Sequence, residues 1–317
     1  MADEVRTAQP RVDVILPTHR GLPWVDEAIR SVLEQTYASL SLIVVDDASG
    51  DGTFAHVCER WSDDPRVTAL ALEVSQRAAG ARMQALAASN AEWLAFVDQD
   101  DRWHPRKLEL QLHHAALKPR ADAVHTDCTH IDADGAPLPG SARRENAARA
   151  RIHWDALEGE ALARVCFRAN RIRLGSSLVR RAAFEAAGGF DPALFGGEDW
   201  DFWVRFASAG RRIAHLPEPL LERRVHPQAT STARRAERIE GLYRACDLAA
   251  ARDPFLAANL AQRLEALLRR ELESGGGAAV RARLHERGES LAPGTRARLW
   301  LLSFAADLLP LGTQRQS

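Results

Sequence analysis

The sequence predicts an α/β fold: a mostly parallel, doubly wound sheet flanked by helices, with a helical C-terminal region. Three observations carry this. Short apolar runs alternate with amphipathic helical stretches through the first half of the chain, with breaks in proline, glycine or acidic turn residues. Beyond Ser231 the composition shifts to Ala, Leu, Arg and Glu in long helical patterns. Strands separated by helices rather than by tight hairpins pair in parallel, and such sheets bind ligands beyond the carboxyl ends of their strands.

The first run, Val12-Asp13-Val14-Ile15-Leu16, is stopped by Pro17. A helix follows with Trp24, Val25, Ala28, Ile29, Val32 and Leu33 on one face. Leu40 to Val45 is a second buried strand, ended by the turn DDASGDGT. Thr53 to Ser62 is helical, Val67 to Leu72 a third strand, and SQRAAGARMQALAASNA a helix feeding the strand WLAFV. The clusters THR (18–20), DD (46–47) and DQDD (98–101) all follow strands, so they should converge on one crevice. AVHTDCTHID is a further strand, 139–150 a polar loop, and Leu174 to Val179 another strand. RRAAFEAAGG is a short helix closed by Gly188-Gly189, and GGEDWDFWVRFASAGRR a loop turning into an aromatic-rich helix. Residues 11–231 form the predicted α/β domain and 233–317 the helical region, with breaks at Gly275-Gly276-Gly277 and Pro293-Gly294.

Bulk numbers exclude several functions. With 317 residues and 46% apolar content the chain can bury a proper core. A formal charge of −1 argues against a nucleic-acid binder. Only Lys107 and Lys118 are lysines, which leaves few candidates for a catalytic amine. Cys58, Cys128, Cys166 and Cys246 form no CxxC pair, so neither disulfides nor a zinc site are expected. No apolar leader stretch is visible near Met1 and no run is long enough to span a membrane, which predicts a cytoplasmic protein.

The chemistry concentrates in acidic residues. Asp98, Asp100 and Asp101 crowd together at the end of an apolar strand, which is costly unless a positive partner sits there. Alternation along an extended chain puts Asp98 and Asp100 on one side, a D-x-D arrangement suited to Mg²⁺ or Mn²⁺, hard cations that take carboxylates and substrate phosphates. Alone, such a triplet equally suits a solvated turn or a helix cap.

The order of segments changes that balance. VDVILPTHR, then IRSVLEQTYASLSLIVVDDASGDGT, then ASNAEWLAFVDQDDRWHPRKLELQ resemble the family 2 inverting glycosyltransferases of the GT-A fold. LGSSLVRRAAFEAAGGFDPALFGGEDWDFWVRFASAG resembles that family's acceptor-side block with its E-D pair, and RRVHPQATS its closing R-x-H-P segment. The resemblance covers about residues 11–231, and the C-terminal region lies outside it.

Roles follow from the resemblance. Asp47 would accept the uracil N3–H, with Asp46 supporting its turn; Pro17 and Thr18 would line the nucleotide. His19 and Arg20 stand where the family more often has Tyr and Asn, and would stack on the base or approach phosphate. Asp100 is the implied metal ligand, with Asp98 on the ribose or the ion, His226 on the ion or a phosphate, and Asp101 free to cap the next helix. Arg82 is kept, whereas Met83 and Ala85 replace the Asn and Gly of the family's usual A-R-N-x-G. Arg224 would clamp the diphosphate or form a surface ion pair. Asp199 matches the general base, at a helix start where negative charge is favoured, and Glu198 would orient it or touch the acceptor. Asp201 reads as structural.

The expected activity is transfer from a nucleotide-sugar, a UDP-sugar, to a glycan, lipid-linked or small-molecule acceptor, with Mn²⁺ or Mg²⁺ as cofactor. A sugar-1-phosphate nucleotidyltransferase would want a Gly-rich basic loop after the first strand, where LPTHRGLPW has one glycine and no lysine. A non-catalytic nucleotide-sugar-binding scaffold predicts erosion of Asp100 or Asp199, and both are present. The apolar tail RARLWLLSFAADLLPLG either packs on the core or on a second copy in a homodimer, or lies on the inner face of a membrane.

Overall fold

The computed structural model describes residues 9–229, 234–272 and 276–308. The domain boundary expected at residues 231–233, the break at Gly275 and the tail beyond Leu308 lie outside these residues.

Eight strands form one sheet in the order β3-β2-β1-β4-β7-β6-β8-β5. They are β1 (Val12–Thr18), β2 (Leu40–Asp46), β3 (Val67–Ala71), β4 (Trp93–Phe96), β5 (Arg102–Trp103), β6 (Ala123–Ile131), β7 (Ser177–Arg180) and β8 (Ile213–Arg224). β3, β2, β1 and β4 pair in parallel, as do β6 and β8. β7 is antiparallel to both β4 and β6, and β5 is antiparallel to β8, so the sheet is mixed. The helices are α1 (Val25–Leu33), α2 (Thr53–Trp61), α3 (Arg77–Ala87), α4 (Lys107–Leu117), α5 (Arg143–Ala150), α6 (Gly159–Arg168), α7 (Arg181–Ala186) and α8 (Glu198–Ser208). The C-terminal region adds α9 (Arg235–Arg252), α10 (Pro254–Ala258), α11 (Leu260–Leu272), α12 (Gly277–Arg287) and α13 (Pro293–Leu308).

Strand alternation sorts the apolar residues into two cores. Val12, Val14 and Leu16 of β1, with Leu42 and Val44 of β2 and Trp93 and Ala95 of β4, pack with α1 and α4 on one face. Ile15, Ile43, Val45, Leu94 and Phe96 point to the other face, against α3, α6, α7 and α8. Each such aliphatic side chain is worth about 1.5–3 kcal/mol when fully buried. The second core continues through Leu242, Tyr243 and Cys246 of α9 and Leu264 and Leu268 of α11 into Leu284 of α12 and Leu299 of α13. The C-terminal helices therefore share one core with the sheet. On α13 Leu299 is buried while Trp300, Leu301 and Leu302 are exposed, and no described helix is long and apolar enough to cross a membrane.

Beyond the short β5 and the helix α6, which the sequence reading does not contain, three segments differ from it. The stretch read as a loop holds α5: Arg149 is buried, bonds Asn146 and Glu145 one turn back on the same helix, and donates to the Arg171 carbonyl, a tertiary partner that no local pattern announces. Leu174–Ser176 is a 3₁₀ turn, and the strand starts only at Ser177. β8 was not anticipated; it contains Pro217 and Pro219, and its pairing with β6 shifts register at Asp127, the irregularity where a strand proline can sit.

Lys107 opens α4 fully buried, its ammonium 2.8 Å from Gln111 Oε1 and 3.9 Å from the Trp103 ring centre. Burial pushes its pKa well below the ordinary lysine value. The unfolded chain then binds this proton more tightly than the folded chain, so stability contributed by the neutral amine grows as pH rises from the folded to the unfolded pKa. Lys107→Met should flatten the pH slope of urea-derived stability in the pH range just below the ordinary lysine pKa, by up to ~1.4 kcal/mol per pH unit. Parallel profiles for variant and wild type would mean the amine stays charged in the fold.

Candidate active site

Because β1, β2 and β4 run parallel, their carboxyl ends open on one side of the sheet, with Thr18 in register with Asp46 and Ile15 with Phe96. Side chains stitch the three following turns together. Gln99 Oε1 accepts from Thr18 Oγ1 at 2.8 Å and from the His19 amide at 2.7 Å, tying the β4 turn to the β1 turn. His19 Nδ1 lies 2.9 Å from the Asp47 carbonyl, tying β1 to β2. Gly21 fits this junction because a Cβ there would overlap the Thr18 hydroxyl. Pro17 and Thr18, expected to line the nucleotide, are buried, and the Thr18 hydroxyl is spent on Gln99; His19 and Arg20 are the exposed residues of the turn. Arg20 and Ala48 adopt the left-handed region (φ 53° and 54°), strained backbone that clusters at functional turns.

Asp46 is consumed by its own turn, accepting from the Ser49 amide at 3.0 Å and from the Ser49 hydroxyl. Asp47 is buried and accepts from the Gln76 amide at 2.6 Å and Ser75 Oγ at 2.7 Å, which leaves lone pairs on both oxygens.

The three crowded acids separate into different environments. Asp98 is the most exposed, and its Oδ1 accepts from Arg82 at 2.7 Å. Asp100 Oδ2 lies 2.9 Å from His226 Nε2, and the His226 ring packs on Trp24 with centres 4.0 Å apart. Burial first, then the charge of Asp98, pushes the Asp100 carboxyl up, with His226 partly offsetting both. Asp101 is buried and does not cap a helix: its Oδ1 accepts the Arg224 amide at 2.9 Å, pinning the end of β8. Burial and the two neighbouring aspartates raise it well above the usual range.

Arg224 is a correction. Its buried guanidinium donates to the carbonyls of Asp100 (2.9 Å), Asp132 (3.2 Å) and Ala133 (2.9 Å) and to Glu27 (2.7 Å). It is thus neither a diphosphate clamp nor a surface ion pair; it holds the acidic turn.

Arg82 joins the two acidic centres. From α3 its buried guanidinium reaches Asp98 at 2.7 Å and Glu198, at the start of α8, at 3.4 Å. Burial opposes its charge, but Asp98 and Glu198 outweigh this and raise its pKa. Glu198 Oε2 accepts the Gly196 amide at 2.9 Å, and its carboxyl is pushed up by burial and Asp199, with Arg82 opposing. Asp199 Oδ2 accepts from Asn170 Nδ2 at 2.8 Å, and Oδ1 from the Trp200 amide at 2.7 Å. Asp201 is structural as expected, buried between Arg205 and Arg252 at 2.8 Å each. Gln99, Asn170 and Arg252 were missed by sequence reasoning. Gln99 stands inside the quoted motif, whereas Asn170 and Arg252 carry no sequence signal.

A second cluster, Cys128, His130 and Glu145, has its possible ligand atoms within 4.8 Å of one another. Both Glu145 oxygens are held by Arg173, and Arg149 joins them, so two guanidinium groups already supply the positive charge there. All four cysteines are free.

The family model for glycosyl transferase family 2 matches residues 13–188. This chain belongs to that family. The putative teichuronic acid biosynthesis glycosyltransferase TuaG of Bacillus subtilis (strain 168) is 34% identical over 130 residues, 41% of this chain and 51% of that protein. The Escherichia coli UDP-Glc:alpha-D-GlcNAc-diphosphoundecaprenol beta-1,3-glucosyltransferase WfgD is 41% identical over 101 residues, 32% of this chain and 39% of that protein. The matches thus span about half or less of these relatives' length. In fold, S. aureus TarS residues 1–349 in complex with UDP superposes with TM-score 0.64 at 18% identity, over 94% of this chain and 88% of that one. The Pyrobaculum calidifontis mannosyltransferase PcManGT, in complex with GDP-Man and Mn²⁺, superposes with TM-score 0.60 at 22% identity, over 95% and 87%. The chain has the GT-A fold of these structures.

In this family 2 member the C-terminal helices buttress the E-D pair. A Cβ on Gly241 of α9 would overlap the Phe195 carbonyl, and one on Gly197 would lie 2.9 Å from the Gly241 carbonyl. Backbone meets backbone there, so neither neighbour can swing away. Gly241→Ala should lower stability by about 1–3 kcal/mol in urea denaturation. Gly294→Ala, with open space around its position and no left-handed φ, should change it by less than about 0.5 kcal/mol. Equal small effects would refute the close approach.

Proposed function

We propose that the chain is a metal-dependent inverting glycosyltransferase that moves a sugar from a UDP-sugar to an acceptor hydroxyl, with Asp199 as general base. The observation that carries this reading is the Arg82 bridge, which unites Asp98 of the D-x-D turn with Glu198 of the E-D pair. Asp47, oriented by Ser75 and Gln76, has spare lone pairs for the uracil N3–H. Asp98, Asp100 and His226 fit a Mg²⁺ or Mn²⁺ ion, because the raised Asp100 carboxyl and the neighbouring Asp98 charge are relieved by a cation. Such an ion, when bound, neutralises the departing diphosphate. TarS is in complex with UDP and PcManGT with GDP-Man and Mn²⁺, which supports nucleotide-sugar and divalent-metal use here.

Asp199 takes the acceptor hydroxyl's proton as its oxygen attacks the anomeric carbon from the face opposite the diphosphate. Asn170 and the Trp200 amide hold the carboxylate in one orientation. Glu198, fixed by Gly196 and Arg82, keeps that helix start aligned with the donor side.

Replacing Asp199 by Asn should cut transfer by about 10²–10⁴-fold in a UDP-release assay and leave UDP affinity unchanged; a wild-type rate would remove Asp199 from the base role. In thermal melts, UDP with Mn²⁺ should stabilise the wild type, since ligands that bind only the folded state raise its melting temperature. Asp100→Ala should lose the Mn²⁺-dependent part of that shift, and an unaltered response would sink the ligand assignment.

A further inference from the structure

A group of arginines surrounds the loop Phe195-Gly196-Gly197 that leads into Glu198 and Asp199, and the mechanism above gives it no task. Arg238, in the first turn of α9, lies directly on Gly196, where a Cβ would overlap its side chain. Its Nε is buried and has no hydrogen-bond partner among the described residues. The guanidinium groups of Arg77 and Arg234 sit 4.5 and 5.7 Å from the Phe195 ring centre, and Arg235 is exposed on the same turn as Arg238. Arg77 holds a left-handed backbone (φ 60°), the kind of strain that gathers at binding sites.

Carboxylates among the described residues balance these charges only in part. Glu237 lies 3.9 Å from Arg77. The charge of Asp199 acts on Arg238 and that of Glu271 on Arg235, a partial compensation that leaves the Arg238 pKa lowered all the same. Arg173, also near, is spent on Glu145. The plain alternative is that Arg238 only packs on Gly196; packing of that one side chain gives no reason for the Arg77 and Arg234 guanidinium groups to gather on the same loop. Burial first, then the charges of Arg270 and Arg235, lower the Arg238 pKa, a penalty that a bound anion would remove.

We propose that Arg238, with Arg234 and Arg235 beside it, binds a phosphate or diphosphate group carried by the acceptor, next to the base that deprotonates its hydroxyl. A carboxylate would bring a single charge; a phosphate brings up to two and matches the planar guanidinium fork. The assignment of this anion to the acceptor rests on the transferase reading.

Isothermal titration of the full chain with inorganic pyrophosphate in EDTA, which removes the divalent ion expected on the donor side, reads the site without sugar transfer. Wild type and Asp100→Ala should bind alike, whereas Arg238→Gln should weaken binding at least ~10-fold, the loss of a charge-assisted contact of about 1.4 kcal/mol. Arg235→Gln, on an exposed turn, should weaken it ~3-fold, and carries the test where the half-buried variant melts early. Geranyl diphosphate separates the sources: tighter binding than pyrophosphate marks a lipid-linked diphosphate, equal or weaker binding a phosphate on a soluble acceptor. Absent binding in wild type, unchanged affinity in both arginine variants, or loss of binding in Asp100→Ala would overturn the proposal. Failure of the transferase reading would appear separately, as absent transfer with pyrophosphate binding intact.

Discussion

The whole site depends on one buried guanidinium. Arg82 stands between carboxylates that come from distant parts of the chain, Asp98 after β4 and Glu198 at the start of α8. Without it, five acids would face one another across a partly desolvated crevice, and like charges at close range repel and raise each other's pKa. With it, the two acidic centres attract a common partner and sit side by side. A single cation thus converts electrostatic repulsion into a geometric constraint.

Around that bridge, the residues of the acidic motifs divide their labour. Asp46, Gln99, Asp101 and Arg224 spend their hydrogen-bonding capacity on backbone and neighbouring turns. Asp47, Asp98, Asp100, Glu198 and Asp199 keep lone pairs for something else. Buried polar groups that are fully satisfied rigidify their surroundings, so the first set holds the second in place. The C-terminal helices extend the same logic: Gly241 seats the loop before Glu198, and Arg252 reaches Asp201 one turn further along α8. They are part of the framework of the site rather than an appendage to it.

The apolar runs Val12 to Leu16, Leu40 to Val45 and WLAFV made the parallel half of the sheet legible, because strand burial on two faces leaves near-continuous apolar sequence. It also placed the acidic turns at the strand ends. The antiparallel half was less legible. β5 spans only two residues, and β8 carries prolines that local pattern reads as breaks. Its pairing with β6 tolerates them only through the register shifts at Asp127, which depend on a strand far away in the chain.

By itself, then, the sequence determined the layered α/β class, the positions of the acidic turns and the identities of the carboxylates, since those are local properties of periodicity and residue type. Only the tertiary structure decided that Arg224 props up a turn, that Asp101 holds β8, that Asn170 meets Asp199, and that α9 lies against Gly196. Each of these is a contact between segments tens of residues or more apart. Which of several possible partners a side chain takes there is set by how the sheet and helices pack together, not by its neighbours in the chain.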